Sequence, residues 1–188
     1  MTAAPTNLPS IADVIGEFRR ATGEAAFPQS SGLLGLLLEL HRNNLVQWNR
    51  EDAARRDSAD DRAVAAAKRD IDALNTKRHE LVEAIDAELA AGLAQDPAAP
   101  PTTESPAMVF DRLSVLVLRT SFTEEAASSE RVDRDIYAAR LPVLHHQLAL
   151  VQEGLEALFE DVRTGRKRFE PYQSLKLYGS RAAGTRRD

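Results

Sequence analysis

His41, Asn44, Trp48, Glu51 and Arg55 recur at spacings of three and four. On a helix they share one face with Asp52, within an arc of about 100°. Bundle helices fill that face with Leu and Ile. Polar and ionisable groups there are costly unless paired, so such a stripe serves as a hydrogen-bond network, a register device or a binding site. An imidazole and carboxylates can move protons, arginines can hold an anion, and an indole can wall a cleft. His41 and Glu51 stand about 15 Å apart along one helix at 1.5 Å per residue, too far to act on each other directly. Either could instead face Asp72, Asn75 or Arg78 across a helix pair. Arg78 falls inside the apolar arc of Ala67, Ile71, Leu74, Leu81, Ile85 and Leu89.

Two readings of this constellation stay open. In the first it is a polar interhelical cleft for a small anionic ligand. Arg55, Arg78 and Arg112 would hold the anion, with Asp111 beside them. His41, Glu51, Asp52 and Asp72 are the candidate acid–base groups, and Asn44, Asn75 and Trp48 would position the ligand. In the second, Arg78 pairs Glu51 or Asp52 and Asn44 pairs Asn75. The chain is then a non-enzymatic dimeric interaction protein whose leucine-rich second helix buries at a partner.

Other chemistries find less support. A carboxylate-bridged di-metal bundle needs Glu-x-x-His on two helices. The residues three before His41, His79, His145 and His146 are Leu38, Thr76, Pro142 and Val143. His79 with Glu83, or Glu51 beside Asp52, could contribute to a mixed oxygen–nitrogen site, but no metal site is assigned and no cofactor is indicated. His145 and His146 are adjacent, so one should be buried and the other exposed. There is no cysteine, hence no disulfide, thiolate site or Cys nucleophile. Glycine-rich nucleotide loops and the Gly-x-Ser-x-Gly elbow are absent.

The elements that must position these residues are helices. Ser10 can cap a helix to about Ala21. A second helix should run from about Gly32 to Arg56 and a third from Asp61 to Ala91, and the short connection makes them antiparallel neighbours. Gly92 to Pro106 is a Pro-rich linker. Ser105-Pro106 opens a fourth helix to about Glu125, although Val115–Leu118 could read as a strand. A fifth, disturbed near Pro142, should span Glu130 to Thr164, with Val143, Leu144, Leu148, Val151, Leu155, Leu158 and Phe159 as its apolar face. The fold class is all-α, a single domain of about five helices, with 1–9 and 181–188 expected to be disordered.

The 188 residues suit one domain with a real core. Aromatics are only 5%, while Ala and Leu abound, which favours helix. No apolar run approaches the roughly 18 residues of a spanning helix, and no signal peptide is visible, so a cytoplasmic protein is expected and membrane association is not. Net charge is −5. Residues 163–188 carry eight Lys/Arg against two Asp/Glu, leaving an acidic body of −11. That body disfavours duplex nucleic acid. The basic tail folds back on it, or binds an anion or an acidic partner.

The motifs resemble a family of small all-helical bacterial proteins catalogued only as a domain of unknown function. They are Leu37-x-x-Leu40-His41-x-x-Asn44-x-x-x-Trp48-x-x-Glu51-Asp52-x-x-Arg55, then Lys68-x-x-Ile71-Asp72-x-Leu74-Asn75-x-x-Arg78-x-x-Leu81-Val82-Glu83-x-Ile85-Asp86, then Thr103-Glu104-Ser105-Pro106 with Asp111-Arg112-Leu113-Ser114. In the tail, Tyr172 and Tyr178 fit the pattern, but Leu175 replaces an aromatic and Gly179 an Asn. The resemblance implies an all-helical fold and a link to cell-surface polysaccharide gene neighbourhoods, with no established reaction. Arg69, Asp72, Arg78 and Glu83 on the third helix also resemble the long first helix of all-helical chorismate mutases, where basic residues bind a dicarboxylate.

Overall fold

A computed structural model of the chain describes residues 8–24, 30–56 and 61–174, with the side chains of 53–65 outside that description. Within those residues there are five helices and no strand: α1 (Ile11–Gly23), α2 (Gly32–Arg56), α3 (Asp61–Gly92), α4 (Pro106–Ser128) and α5 (Arg134–Arg163). Val115–Leu118 is helical. The protein is an all-α bundle.

Local chemistry sets the helix ends. The Ser10 hydroxyl accepts from the Asp13 N–H at 3.1 Å, and Ser105 caps α4 with Pro106 in its first turn. Gly165, at φ 70°, ends α5. Its N–H donates to the Val162 carbonyl at 3.1 Å, and the Arg166 N–H donates to Asp161 at 2.8 Å. That pair of bonds satisfies the last carbonyls as a Schellman cap does. Gly35 marks a close approach, since a Cβ there would stand 2.6 Å from the Ser30 carbonyl oxygen.

α2 and α3 lie antiparallel, with Glu39 beside Lys77 (3.1 Å) and Arg50 toward Asp70 (3.9 Å). α4 crosses both and also packs on α1, while α5 packs on α4 and touches α1 but neither α2 nor α3. The core gathers Phe18, Leu37, Leu40, Ile85, Leu89, Phe110, Leu113 and Leu155. Leu33, Leu37, Leu38 and Leu40 are buried inside this chain, so the leucine-rich turns of α2 are already spent on its own core. Leu8, expected to be disordered, packs against that core.

Because α5 sits at the edge with one covered side, Val143 is 59% exposed rather than part of the apolar face. For the same reason His145 and His146 are both exposed. The His145 Nε2 lies 2.8 Å from Glu124. Pro142 leaves α5 continuous. It withholds an N–H from the carbonyl of Ala138, which is exposed and can turn to water.

The linker is pinned rather than loose. The Thr102 N–H donates to Arg168 at 2.8 Å and the Arg168 N–H to Pro100 at 3.1 Å. Buried Asp86 joins three segments by accepting from the Ala107 and Tyr172 N–H groups, both at 2.9 Å. Burial raises its carboxyl above the ordinary range, while hydrogen bonds from Ser105, Tyr172 and Ala107 partly oppose that. Phe169 is buried and Tyr172 stacks on His79. Leu175, Leu177, Tyr178 and the basic stretch after them lie outside the described residues.

Candidate functional site

The polar stripe of α2 divides near Asn44 into a closed inner part and an open outer part. Within the inner part, His41 is fully buried and its ring stacks on Phe18 at 4.4 Å. Its Nε2 lies 2.9 Å from Thr22 Oγ1 and its Nδ1 2.9 Å from Ser114 Oγ. The Thr22 hydroxyl donates its proton to the Phe18 carbonyl at 2.8 Å, so Thr22 must accept from His41. The proton of His41 therefore sits on Nε2, and Nδ1 accepts from Ser114. Ser114 in turn accepts from Asn44 Nδ2 at 3.1 Å. The bonds run one way from Asn44 through Ser114 and His41 to α1.

That arrangement suits a neutral imidazole. Burial pushes the His41 pKa down to about 4, with the Phe18 carbonyl only partly offsetting it. The structure therefore places His41 in the core, away from any cleft.

Asp111 on α4 closes the inner part. It accepts from Asn44 at 2.9 Å and from Arg78 Nε at 2.8 and 2.9 Å, while Arg78 Nη2 completes a bidentate pair. The Asp111 hydrogen bond raises the Arg78 pKa above its ordinary value, against desolvation, and the charges of Asp111 and Glu51 add to it. Arg78 thus turns to Asp111 rather than to Glu51 or Asp52 for its hydrogen bonds. Asn44 likewise goes to Asp111 and Ser114 rather than to Asn75.

Beyond Asn44 the helices part. A cleft of about 310 Å³ opens between α2, α3 and α4, lined by Asn44, Gln47, Trp48, Glu51, Asp52, Arg78, Val115, Leu118 and Arg119. Trp48 forms one wall and stacks on Phe122 at 5.6 Å. The Gln47 amide donates to Glu51 at 3.1 Å and to Asn75 at 3.2 Å. Its carbonyl oxygen is buried and, among the described residues, accepts no hydrogen bond. Arg119 reaches the cleft from α4, and no ion pair or side-chain hydrogen bond is found for it among the described residues.

Asn44, Trp48, Glu51, Asp52 and Arg78 thus come together at the cleft, and Asp111 stands behind Arg78. Asn75 supports Gln47 without lining the cleft. Asp72 is exposed and Arg112 pairs with Glu104 at 2.9 Å, so both stand apart from it. The side chain of Arg55 lies outside the described residues. Gln47 and Arg119 are not among the candidates that the sequence offers, and Ser114 enters there only as the end of a family motif. A signal existed for each: Asn44, Gln47 and Glu51 are spaced three and four, Ser114 stands three after Asp111, and Asp111, Val115 and Arg119 follow at fours. Among the described residues no three His, Asp or Glu side chains gather as a metal site would require.

The fold and cleft define an all-α bundle with a charged interhelical recess and, among the described residues, no helix long and apolar enough to cross a membrane. Its sequence places it further. The chain belongs to DUF4254, a family of proteins of unknown function, whose profile matches residues 34–170. No curated protein and no solved structure matches it. The matched stretch carries α2 through α5 and with them every cleft residue, whereas Phe18 and Thr22, which hold His41, precede it.

Proposed function

We propose that the cleft binds a small anionic metabolite that also carries hydroxyl or amino groups. The observation that carries this reading is the buried, partnerless oxygen of Gln47 in the same recess as Arg119. A buried acceptor without a donor costs about 1–3 kcal/mol, and a ligand hydroxyl or amine would remove that cost. Arg119 supplies the charge for a carboxylate or phosphate, and Trp48 gives a flat apolar wall. Glu51 and Asp52 are the acid–base candidates should the ligand be transformed. Arg78, already held by Asp111, shapes the floor rather than gripping the anion. A sugar phosphate or hydroxy acid meets these demands and fits the cell-surface glycan setting that the family resemblance implies.

The test is calorimetric titration with hexose phosphates and small hydroxy acids. Binding should fall about tenfold or more in Arg119→Met and in Gln47→Leu. Unchanged affinity in both variants, or no binding by the parent protein across the panel, would overturn the reading.

A second reading has its own observation. The chain of bonds from Arg78 through Asp111, Asn44, Ser114 and His41 is mutually satisfied, as a structural network would be. On that reading the stripe locks three helices together in an interaction protein. Strong stability coupling between Arg78→Met and Asp111→Asn, with no binding across the panel, would favour it.

A further inference from the structure

Among the described residues, α5 is the helix whose surroundings leave an apolar side open. Ile136, Val143 and Leu150 are 57%, 59% and 53% exposed. They stand seven residues apart, so they form one line along the helix, and Ala157 continues it. Isolated surface hydrophobes need no explanation, but a line at heptad spacing keeps to one side of the helix, where a second helix can cover all of it.

Gly154 adds an independent sign. Among the described residues a Cβ there would meet nothing within 4 Å, so none of the packing described inside the chain calls for glycine. Mid-helix glycine costs about 0.5–1 kcal/mol relative to alanine. A second backbone passing closely over this point would make use of it.

Charge supplies the orientation. Arg134 and Arg140 lie in the first half of α5, and Glu153, Glu156 and Glu160 in the second; Asp135 and Arg163 at the ends run against the trend. Arg140 rests near the Tyr137 ring, and neither it nor Glu153 has an ion pair among the described residues. Two copies of α5 laid parallel would set Arg140 against the partner's Arg140 and Glu153 against the partner's Glu153. Laid antiparallel, each basic half meets an acidic one.

We propose that α5 is the contact between two copies of this chain, packed antiparallel about a two-fold axis between His146 and Gln147. Val143 then lies on the partner's Leu150 and Ile136 on the partner's Ala157, the register that covers the whole line. Gly154 falls opposite the partner's Ala139, where both side chains are small enough for a close approach. The interface is isologous and closes at two copies.

Light scattering with sedimentation equilibrium at micromolar concentrations tests this by mass, independently of any ligand. The full chain should run at twice its 20.7 kDa. Val143→Arg with Leu150→Arg should run as a monomer with unchanged helical circular dichroism, and its unfolding midpoint should no longer depend on protein concentration as the parent's does. The chain has no cysteine, so orientation can be read by cross-linking. Ile136→Cys should form a disulfide when mixed with Ala157→Cys and not with itself. A monomeric parent protein, a dimer that survives the paired arginines, or self-linked Ile136→Cys would each overturn the proposal.

Discussion

α2 buries its polar groups and α5 exposes its apolar ones. Both are long helices in one bundle, yet each departs from the amphipathic pattern in the opposite direction. In α2 the departure is resolved within the chain. His41 and Asn44 find Thr22, Ser114 and Asp111, and only past Asn44 does the stripe reach an open cleft. In α5 the described residues leave Ile136, Val143 and Leu150 more than half exposed. A polarity mismatch answered inside the fold acts as structure, and one left unanswered marks where something else binds.

The largest effect should follow from cutting the inner network at its hub. Asp111→Ala leaves Arg78, whose side chain is 32% exposed, without its carboxylate and removes an acceptor from Asn44. Breaking one partner of such a pair costs about 3–5 kcal/mol when fully buried. Since Arg78 keeps some solvent, a loss nearer about 3 kcal/mol is expected in urea unfolding. Loss below about 1 kcal/mol would mean that the network does not hold the helices.

His41 predicts a pH dependence of similar size. Its folded pKa, about 4, lies below the ordinary 6.5. Between those values the unfolded chain binds more protons, so stability is full above 6.5 and falls as pH drops toward 4. The shift corresponds to about 3 kcal/mol. Ordinary carboxylates titrate near the lower end, and the raised Asp86 is common to parent and variant, so the difference between the two from about pH 6.5 to 5 is the diagnostic part. His41→Gln should be less stable at neutral pH and should lose stability less steeply over that range. An unchanged slope in the variant would remove His41 from the buried network.

α5 should respond in the opposite sense to α2. Gly154→Ala is expected to raise helix stability by about 0.5–1 kcal/mol, measured by thermal unfolding of the Val143→Arg, Leu150→Arg background. In the parent background the same change should weaken dimerisation, seen by sedimentation. A substitution that stabilises the fold and weakens assembly would separate the two roles of this helix.

Much of this architecture could be read from pattern. Ser10 and Ser105-Pro106 announce helix starts, and the α2 boundaries follow from the leucine run and the polar break after Arg56. Arg78 inside an apolar arc signals that it points inward. What pattern cannot supply is which third helix meets a stripe. By spacing alone α2 and α3 complete each other, but α4 crosses both and brings Asp111 and Ser114 to Asn44, and Asp111 to Arg78. Helical spacing also gives direction without depth: His41 and Glu51 share a face, yet one is sealed by α1 and the other reaches the cleft. Gln47 and Arg119 escaped notice because a polar residue near a stripe, or an arginine on a helix flank, is ordinary until a recess is seen between them. Val143 misled because the apolar arc of α5 is wider than the single side that the bundle covers.

The division of the α2 stripe near Asn44 is tested most directly by comparing urea unfolding of Asn44→Leu and Gln47→Met. Asn44 donates to both Asp111 and Ser114 in a buried setting, so its replacement should cost about 2–3 kcal/mol. Gln47 trades two partly exposed hydrogen bonds for removal of an orphaned buried oxygen, so its variant should stay within about 0.5 kcal/mol of the parent. Equal losses at the two positions would contradict the division and make the stripe one continuous structural network.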